Sequence, residues 1–103
     1  MDYEVILSPR AIQDLTEIVR YISFDNPKAA EKFGYALIDA ALSLSTLPER
    51  GRFVPEFKDG RTRELLHGAY RIVYRVDAEQ KTVSVSRFWH AARGAPRLGP
   101  NPL

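Results

Sequence analysis

The feature that most constrains this fold is a run of three predicted strands between residues 61 and 93. Residues 70–76 and 82–89 consist mainly of β-branched and aromatic side chains, the composition typical of strands. Within 70–76, the even-numbered residues are apolar or aromatic, and two of the three odd-numbered residues between them are arginines. This is the period of two that a strand imposes. The connections at 67–69 and 77–81 are short enough for hairpins. The C-terminal half therefore predicts three successive antiparallel strands.

The N-terminal half predicts a short strand followed by two amphipathic helices. The strand covers residues 3–7, and Ser8-Pro9 then supplies the cap and first position of a helix over 9–24. Asn26-Pro27 supplies the same pair for a second helix over 27–47. Apolar residues recur at spacings of three and four along both helices, among them Leu15, Ile18, Phe33 and Leu37. The two helices are predicted to form a hairpin.

These elements follow the order β-α-α-β-β-β, which predicts a single α+β domain. A helical hairpin packed on one face of a mainly antiparallel sheet buries both apolar stripes and leaves the other sheet face free. We expect this domain to span residues 1–94. Residues 95–103 are rich in proline and glycine, so we expect an extended C-terminal tail there.

The register of the last two strands decides which side chains share the free face. Matching apolar faces places Val83 and Val85 on the core side, with the apolar side chains of 70–76. The opposite face then carries polar and aromatic residues of both strands: Arg71, Arg75, Ser84, Ser86, Phe88 and His90. A shift of one residue would bring Arg87 and Trp89 there instead of Phe88 and His90. In either register, at least two arginines lie beside an aromatic ring.

Charge is unevenly distributed along the chain. The net charge is only +2, but residues 61–103 hold eight Lys/Arg and three Asp/Glu. Arginine binds phosphate and carboxylate in a bidentate geometry that lysine cannot match, so an anionic partner for this half is expected. The chain has no cysteine, which excludes disulfides and fits a reducing cytosol. No apolar run approaches the roughly 20 residues of a membrane span, and the start does not resemble a signal peptide.

Metal or cofactor chemistry is not expected. His67 and His90 lie on different elements without ligand spacing, and no glycine-rich phosphate loop precedes a helix. Metal-free RNA cleavage needs a base, an acid and cations for the phosphoryl charge. One group of residues offers these functions: Arg71 or Arg87 with His90 and Arg93, and with Arg63 and Glu64 nearby in sequence. The alternatives are a structural histidine, solvated arginines, and a Glu64 that pairs with a neighbouring arginine.

Motifs along nearly the whole chain resemble those of one known family. In chain order they are Leu7-Ser8-Pro9-Arg10-Ala11 with Asp14-Leu15, Tyr21-Ile22 with Asn26-Pro27 and Ala29-Ala30, Leu47-Pro48 with Gly51, Arg63-Glu64-Leu65, Tyr70-Arg71-Ile72-Val73-Tyr74-Arg75-Val76, and Trp89-His90 with Arg93. In order and spacing they resemble the RelE/ParE superfamily, the toxins of bacterial type II toxin–antitoxin modules.

The resemblance implies one of two activities. RelE-like members cleave mRNA in the ribosomal A site without a metal, whereas ParE-like members bind and inhibit DNA gyrase. Both kinds are cytoplasmic, need no cofactor, and are silenced by an acidic antitoxin segment that folds on the toxin in a hetero-oligomer. A third interpretation is a nontoxic nucleic-acid-binding domain.

The ParE-like activity is favoured here. The chain has long paired helices and a modest net charge, and it lacks both a lysine cluster and a tyrosine after His90. If the chain is RelE-like instead, the resemblance implies His90, Arg71 and Arg87 as catalytic residues. The residues expected to bind the target or the antitoxin are Arg63, Arg71, Arg75, Arg87, Trp89, His90 and Arg93.

Overall fold

A computed structural model describes residues 2–98 of the chain. The elements are β1 (Glu4–Leu7), α1 (Pro9–Ser23), α2 (Pro27–Leu42), β2 (Arg52–Phe53), β3 (Thr62–His67), β4 (Tyr70–Asp77) and β5 (Thr82–His90). Single 3-10 turns follow α2 at Ser43–Ser45 and β5 at Ala91–Arg93. The predicted order of elements is confirmed, and the structure adds the two-residue strand β2 between α2 and β3. None of the helices in the described part is long and apolar enough to cross a membrane.

Both helices begin where the sequence predicts. The Ala11 N–H donates to Ser8 Oγ at 3.0 Å, and the Ala29 N–H donates to Asn26 Oδ1 at 3.0 Å. A proline occupies the first turn of each helix, where its missing N–H costs nothing. These local contacts fix the start of both helices.

The predicted end of the second helix at residue 47 is wrong. α2 stops at Leu42, and the chain tightens into the 3-10 turn at 43–45. There the Ser43 hydroxyl donates to the Ala40 carbonyl at 2.6 Å, a local bond of the kind that competes with the helical ladder. Leu44 remains fully buried, so the apolar spacing continues past the end of the regular helix.

The sheet is mixed, with the strand order β1-β5-β4-β3-β2. β1 runs parallel to β5, and the other three neighbouring pairs are antiparallel. The core lies between α1, α2 and one face of this sheet. Its centre is made of buried apolar side chains, chiefly Ala11, Ile18, Leu37, Leu44, Ile72, Tyr74, Val83, Val85 and Phe88. The predicted hairpin-on-sheet architecture is confirmed.

A β-bulge in β5 overturns part of the predicted register. Val73 pairs with Arg87, but the next residue, Tyr74, pairs with Val85, so Ser86 is an extra residue. One extra residue inverts the alternation of side chains beyond it. Phe88 therefore joins the core, and Trp89 lies on the opposite face beside Arg71. The expectation that Phe88 and His90 share the Arg71 face is wrong.

The expectation that this opposite face is free is also wrong at its centre. Val54, Val73 and Trp89 form a second buried cluster there, with Phe57 and Leu98 packed against it. The chain after β2 and the chain after β5 thus fold onto this face. Of the predicted tail, residues 95–98 lie within the described part without regular structure, and the division at residue 94 stays a prediction.

Candidate functional site

The arginines predicted to bind a partner fall into two groups. Arg71, Arg75 and Arg87 are paired with carboxylates of the same chain. Within residues 2–98, Arg63 and Arg93 have no carboxylate within 4 Å. Because an anionic partner must compete with any internal carboxylate, these two groups have different capacities to bind one.

Arg87 is buried and joins three parts of the fold. Its Nε and Nη2 donate to the two oxygens of Asp14 on α1, at 2.7 and 2.9 Å, and its Nη1 donates to the Arg97 carbonyl at 2.7 Å. Asp14 also accepts a hydrogen bond from the Phe88 N–H at 3.1 Å. Phe88 lies beyond Val85, the last residue of β5 that pairs with β1. Arg87 therefore serves the structure, and its guanidinium is enclosed.

Asp14 is a residue that sequence reasoning did not place in the site. It lies three positions after Ala11 and four before Ile18, inside the apolar stripe of α1. An acidic residue in a buried stripe needs a cationic partner, because an unpaired buried charge is costly. That position was a signal for a buried arginine, although it does not identify which one.

Arg71 belongs to a network of two arginines and two glutamates. It binds both oxygens of Glu56, at 3.0 and 2.9 Å, and one oxygen of the fully buried Glu64 at 3.1 Å. Arg52 binds the other Glu64 oxygen at 2.8 Å. The hydrogen bond from Arg71 holds the pKa of Glu56 below its usual value. The network is neutral as a whole, and it confirms the alternative that Glu64 pairs with neighbouring arginines.

Arg75 lies against a turn organised by Asp59. The Asp59 carboxylate accepts the Thr62 and Arg61 N–H groups, each at 3.0 Å, and the Thr62 hydroxyl at 2.7 Å. Arg75 Nε donates to the same hydroxyl at 3.0 Å, and its Nη2 lies 3.7 Å from Asp59. The hydrogen bonds from Thr62 and Arg61 hold the pKa of Asp59 far below its usual value of 3.8.

Replacing Asp59 by asparagine is expected to reduce the acid sensitivity of folding. A carboxyl group whose pKa is lower in the folded than in the unfolded state stabilises the fold at pH values above its unfolded-state pKa. That stabilisation is lost as the pH falls from the unfolded-state pKa toward the folded-state pKa. Asp59→Asn should therefore be less stable than wild type at pH 7, and the gap should narrow below about pH 4. Urea unfolding at pH 7, 4 and 2.5 measures this, with exposed Asp25→Asn as control. A gap that stays constant over this range would contradict the assignment.

Arg63 and Arg93 are positioned by neutral groups. Arg63 Nη1 donates to the Gly51 carbonyl at 2.8 Å and, more weakly, to the Glu49 carbonyl at 3.3 Å. Its guanidinium carbon lies 4.1 Å from the centre of the Phe53 ring. The Arg93 guanidinium lies 3.9 Å from the Trp89 ring centre. Both cations are thus held in place by contacts that leave their charge uncompensated.

His90 lies on the face of the sheet that packs against the helices, and it pairs with Tyr70 of the neighbouring strand β4. The His90 Nδ1 accepts a hydrogen bond from the Ala92 N–H at 3.1 Å. The His90 and Tyr70 rings meet edge to face, with their centres 5.0 Å apart. A cleft of about 350 Å³ opens there between α1 and the ends of β4 and β5, and its lining includes Tyr21 and Arg93. Burial, and then the proximity of Tyr21, raises the pKa of the Tyr70 hydroxyl.

The three residues named for catalysis do not come together. Arg71 pairs with Trp89 on one face of the sheet, whereas His90 pairs with Tyr70, which projects from the other face. Arg87 is enclosed by Asp14. Among the described residues, no group of three or more histidine or acidic side chains could hold a metal ion. His90 and Arg93 line one cleft at the end of the sheet. Trp89 lies on the opposite face, where it pairs with Arg71 and its ring contacts the guanidinium groups of Arg87 and Arg93.

Two helices packed on one face of a five-stranded mixed sheet define the fold class of the RelE/ParE toxins. The toxin–antitoxin complex RelBE2 from Mycobacterium tuberculosis contains a similar chain, with a TM-score of 0.66 and 28% identity over 87% of this chain and 99% of that one. A chain of the chromosomal ParDE system from P. aeruginosa has the same fold, with a TM-score of 0.71 at 20% identity, covering 85% and 95% of the two chains.

The sequence pattern of the family "ParE toxin of type II toxin-antitoxin system, parDE" matches residues 5–94. The chain belongs to this family and is a type II toxin of the ParE/RelE superfamily. It is also similar to two toxins of Caulobacter vibrioides, over 87% of its own length in each case. Toxin RelE1 is 36% identical over 95% of its length, and Toxin RelE2 is 38% identical over 97%.

Proposed function

We propose that this toxin arrests bacterial growth by binding and inhibiting DNA gyrase, and that a cognate antitoxin keeps it inactive. It acts in the cytoplasm, where gyrase works, and it forms a hetero-oligomer with the antitoxin. The exposed end of the sheet, with His90 and Arg93, contacts the target.

The observation that carries this proposal is the state of Arg71 and Arg87. A metal-free ribonuclease needs cations that are free to neutralise the charge developing on the phosphoryl group. Arg87 is bound by both oxygens of Asp14 and by the Arg97 carbonyl, and Arg71 is bound by Glu56 and Glu64. A phosphate would have to displace these carboxylates, so the arrangement supports binding of a protein target more than cleavage of RNA.

Ribosome-dependent mRNA cleavage is the second candidate. The cleft beside His90 brings a histidine, two tyrosines and Arg93 close together, and these groups can transfer protons and stabilise negative charge. The two similar Caulobacter vibrioides proteins are named as RelE toxins. These observations favour a test of both targets.

Purified toxin should inhibit DNA supercoiling by gyrase and leave mRNA on programmed ribosomes intact. Arg93→Ala should weaken gyrase inhibition by about tenfold, because it removes an uncompensated cation from the proposed contact. The matched control is Arg97→Ala, whose side chain is exposed in the C-terminal segment.

Cleavage of mRNA at defined codon positions, with unaffected gyrase activity, would make the ribosome the favoured target and gyrase the second candidate. In that case His90→Ala should lower the cleavage rate by on the order of 10²-fold. Expression of the wild type without an antitoxin should stop growth, and co-expression of the adjacent reading frame should restore it. Normal growth with soluble, folded protein would rule out both candidate targets.

A further inference from the structure

Arg63 is a fixed cation with unused hydrogen-bond donors. An arginine side chain has five N–H groups, and within residues 2–98 the hydrogen bonds of the Arg63 side chain to protein all come from Nη1. A cation–π contact with Phe53, whose ring centre lies 4.1 Å from the guanidinium carbon, holds the side chain in place. Its remaining donors are therefore available to a carboxylate, and little side-chain entropy remains to be lost on binding.

Arg50 lies close to Arg63 and is also held by a neutral group. Its Nη1 donates to the Ser43 hydroxyl at 2.8 Å. Arg50 stands in the chain between Glu49 and Gly51, and the carbonyls of both neighbours accept hydrogen bonds from Arg63 Nη1. Glu49 precedes Arg50 in the chain, so Glu49, Arg50 and Arg63 together carry one net positive charge.

Exposed apolar side chains lie beside these cations. The side chain of Leu47 is 60% exposed, and that of Phe53 is 47% exposed. Leu47 and Arg50 line the same shallow cleft of about 370 Å³. Apolar anchors next to unpaired arginines are the composition that protein interfaces favour.

The backbone at Gly51, beneath this surface, is bonded to β4 and packed against β3. The buried Gly51 donates its N–H to the Tyr74 hydroxyl at 2.8 Å. A Cβ on Gly51 would lie 2.5 Å from the Glu64 carbonyl oxygen, so the chain here packs directly on β3. A surface that is rigid before binding loses less entropy when a partner docks.

We propose that Leu47, Arg50, Phe53 and Arg63, here called the β2 corner, form the docking surface for an acidic segment of the antitoxin. Carboxylates of that segment bind Arg50 and Arg63, and an apolar side chain covers Leu47 and Phe53. The inference depends on the proposed function, which supplies the antitoxin. It differs from docking on Arg71, Arg75 and Arg87, because carboxylates of this chain already neutralise those three side chains.

The test measures binding of full-length toxin variants to the protein encoded by the adjacent reading frame. Arg50→Glu and Leu47→Glu should each raise the dissociation constant by about tenfold or more, because both place a negative charge against the acidic segment. Arg63→Gln should weaken binding to a similar extent. Arg50 and Leu47 are exposed, so their variants remain informative if Arg63→Gln fails to fold.

The matched control is Arg20→Glu, the same charge reversal at an exposed position on α1. It should change the dissociation constant by less than about threefold, as expected for a charge outside the contact. Normal affinity of Arg50→Glu and Leu47→Glu, with tight wild-type binding, would overturn the β2 corner and leave the antitoxin proposal standing. Absence of wild-type binding would overturn both.

Discussion

Replacing Arg87 by alanine is expected to lower the free energy of unfolding by about 3–5 kcal/mol, the usual cost of removing one partner of a buried ion pair. The change leaves the Asp14 carboxylate buried without its two short hydrogen bonds. It also leaves the Arg97 carbonyl without its donor. A domain of this size holds only about 5–15 kcal/mol in total. The variant should therefore lose a large share of its stability, and its arrest of growth should weaken.

Urea denaturation followed by circular dichroism measures this loss, with Arg97→Ala as control. Arg97 contributes its backbone carbonyl to the contact, so truncating its exposed side chain should cost less than about 0.5 kcal/mol. Asp14→Ala should resemble Arg87→Ala. In the double variant no unpaired charge remains, so its cost should be clearly smaller than the sum of the two. A loss below 1 kcal/mol for Arg87→Ala would show that the ion pair does not support the fold.

Replacing Trp89 by alanine is expected to cost about 3–5 kcal/mol through lost transfer energy and a cavity. Trp89 is 2% exposed and packs with Val54 and Val73. Its indole N–H donates to the Gly94 carbonyl at 3.0 Å, so the change also releases the chain that follows β5. Arg93 loses the ring on which it is stacked, and target binding should weaken beyond the loss of stability.

Two variants separate packing from hydrogen bonding at this position. Trp89→Phe keeps a ring against Val73 but removes the indole N–H, so its cost should be about half or less of the alanine variant. Phe24→Ala removes an aromatic ring that is 82% exposed and should be nearly neutral. Unfolding by urea gives all three values. Equal stability of Trp89→Ala and Phe24→Ala would mean that the second cluster contributes nothing.

The sequence alone determined those features that depend on contacts close in the chain. Ser8-Pro9 and Asn26-Pro27 start helices because each cap bonds an N–H three residues later. The alternation in 70–76 defines β4 because successive side chains of a strand point to opposite faces. These local signals, taken in order, predicted the architecture, and the resemblance of the motifs to the RelE/ParE superfamily implied the family.

The tertiary structure alone decided which arginines are free. Arg71 and Arg87 look alike in the sequence, but Arg87 meets Asp14 across 73 positions and Arg71 meets Glu56 across 15. The bulge at Ser86 then decided the faces of Trp89 and His90. The acidic Asp14 in an apolar stripe signals a buried arginine, but no local signal identifies Arg87 as that arginine or places the bulge, because both depend on how distant segments pack. For that reason the sequence predicted an arginine-rich surface, and only the fold showed that, within residues 2–98, Arg63 and Arg93 have no carboxylate partner.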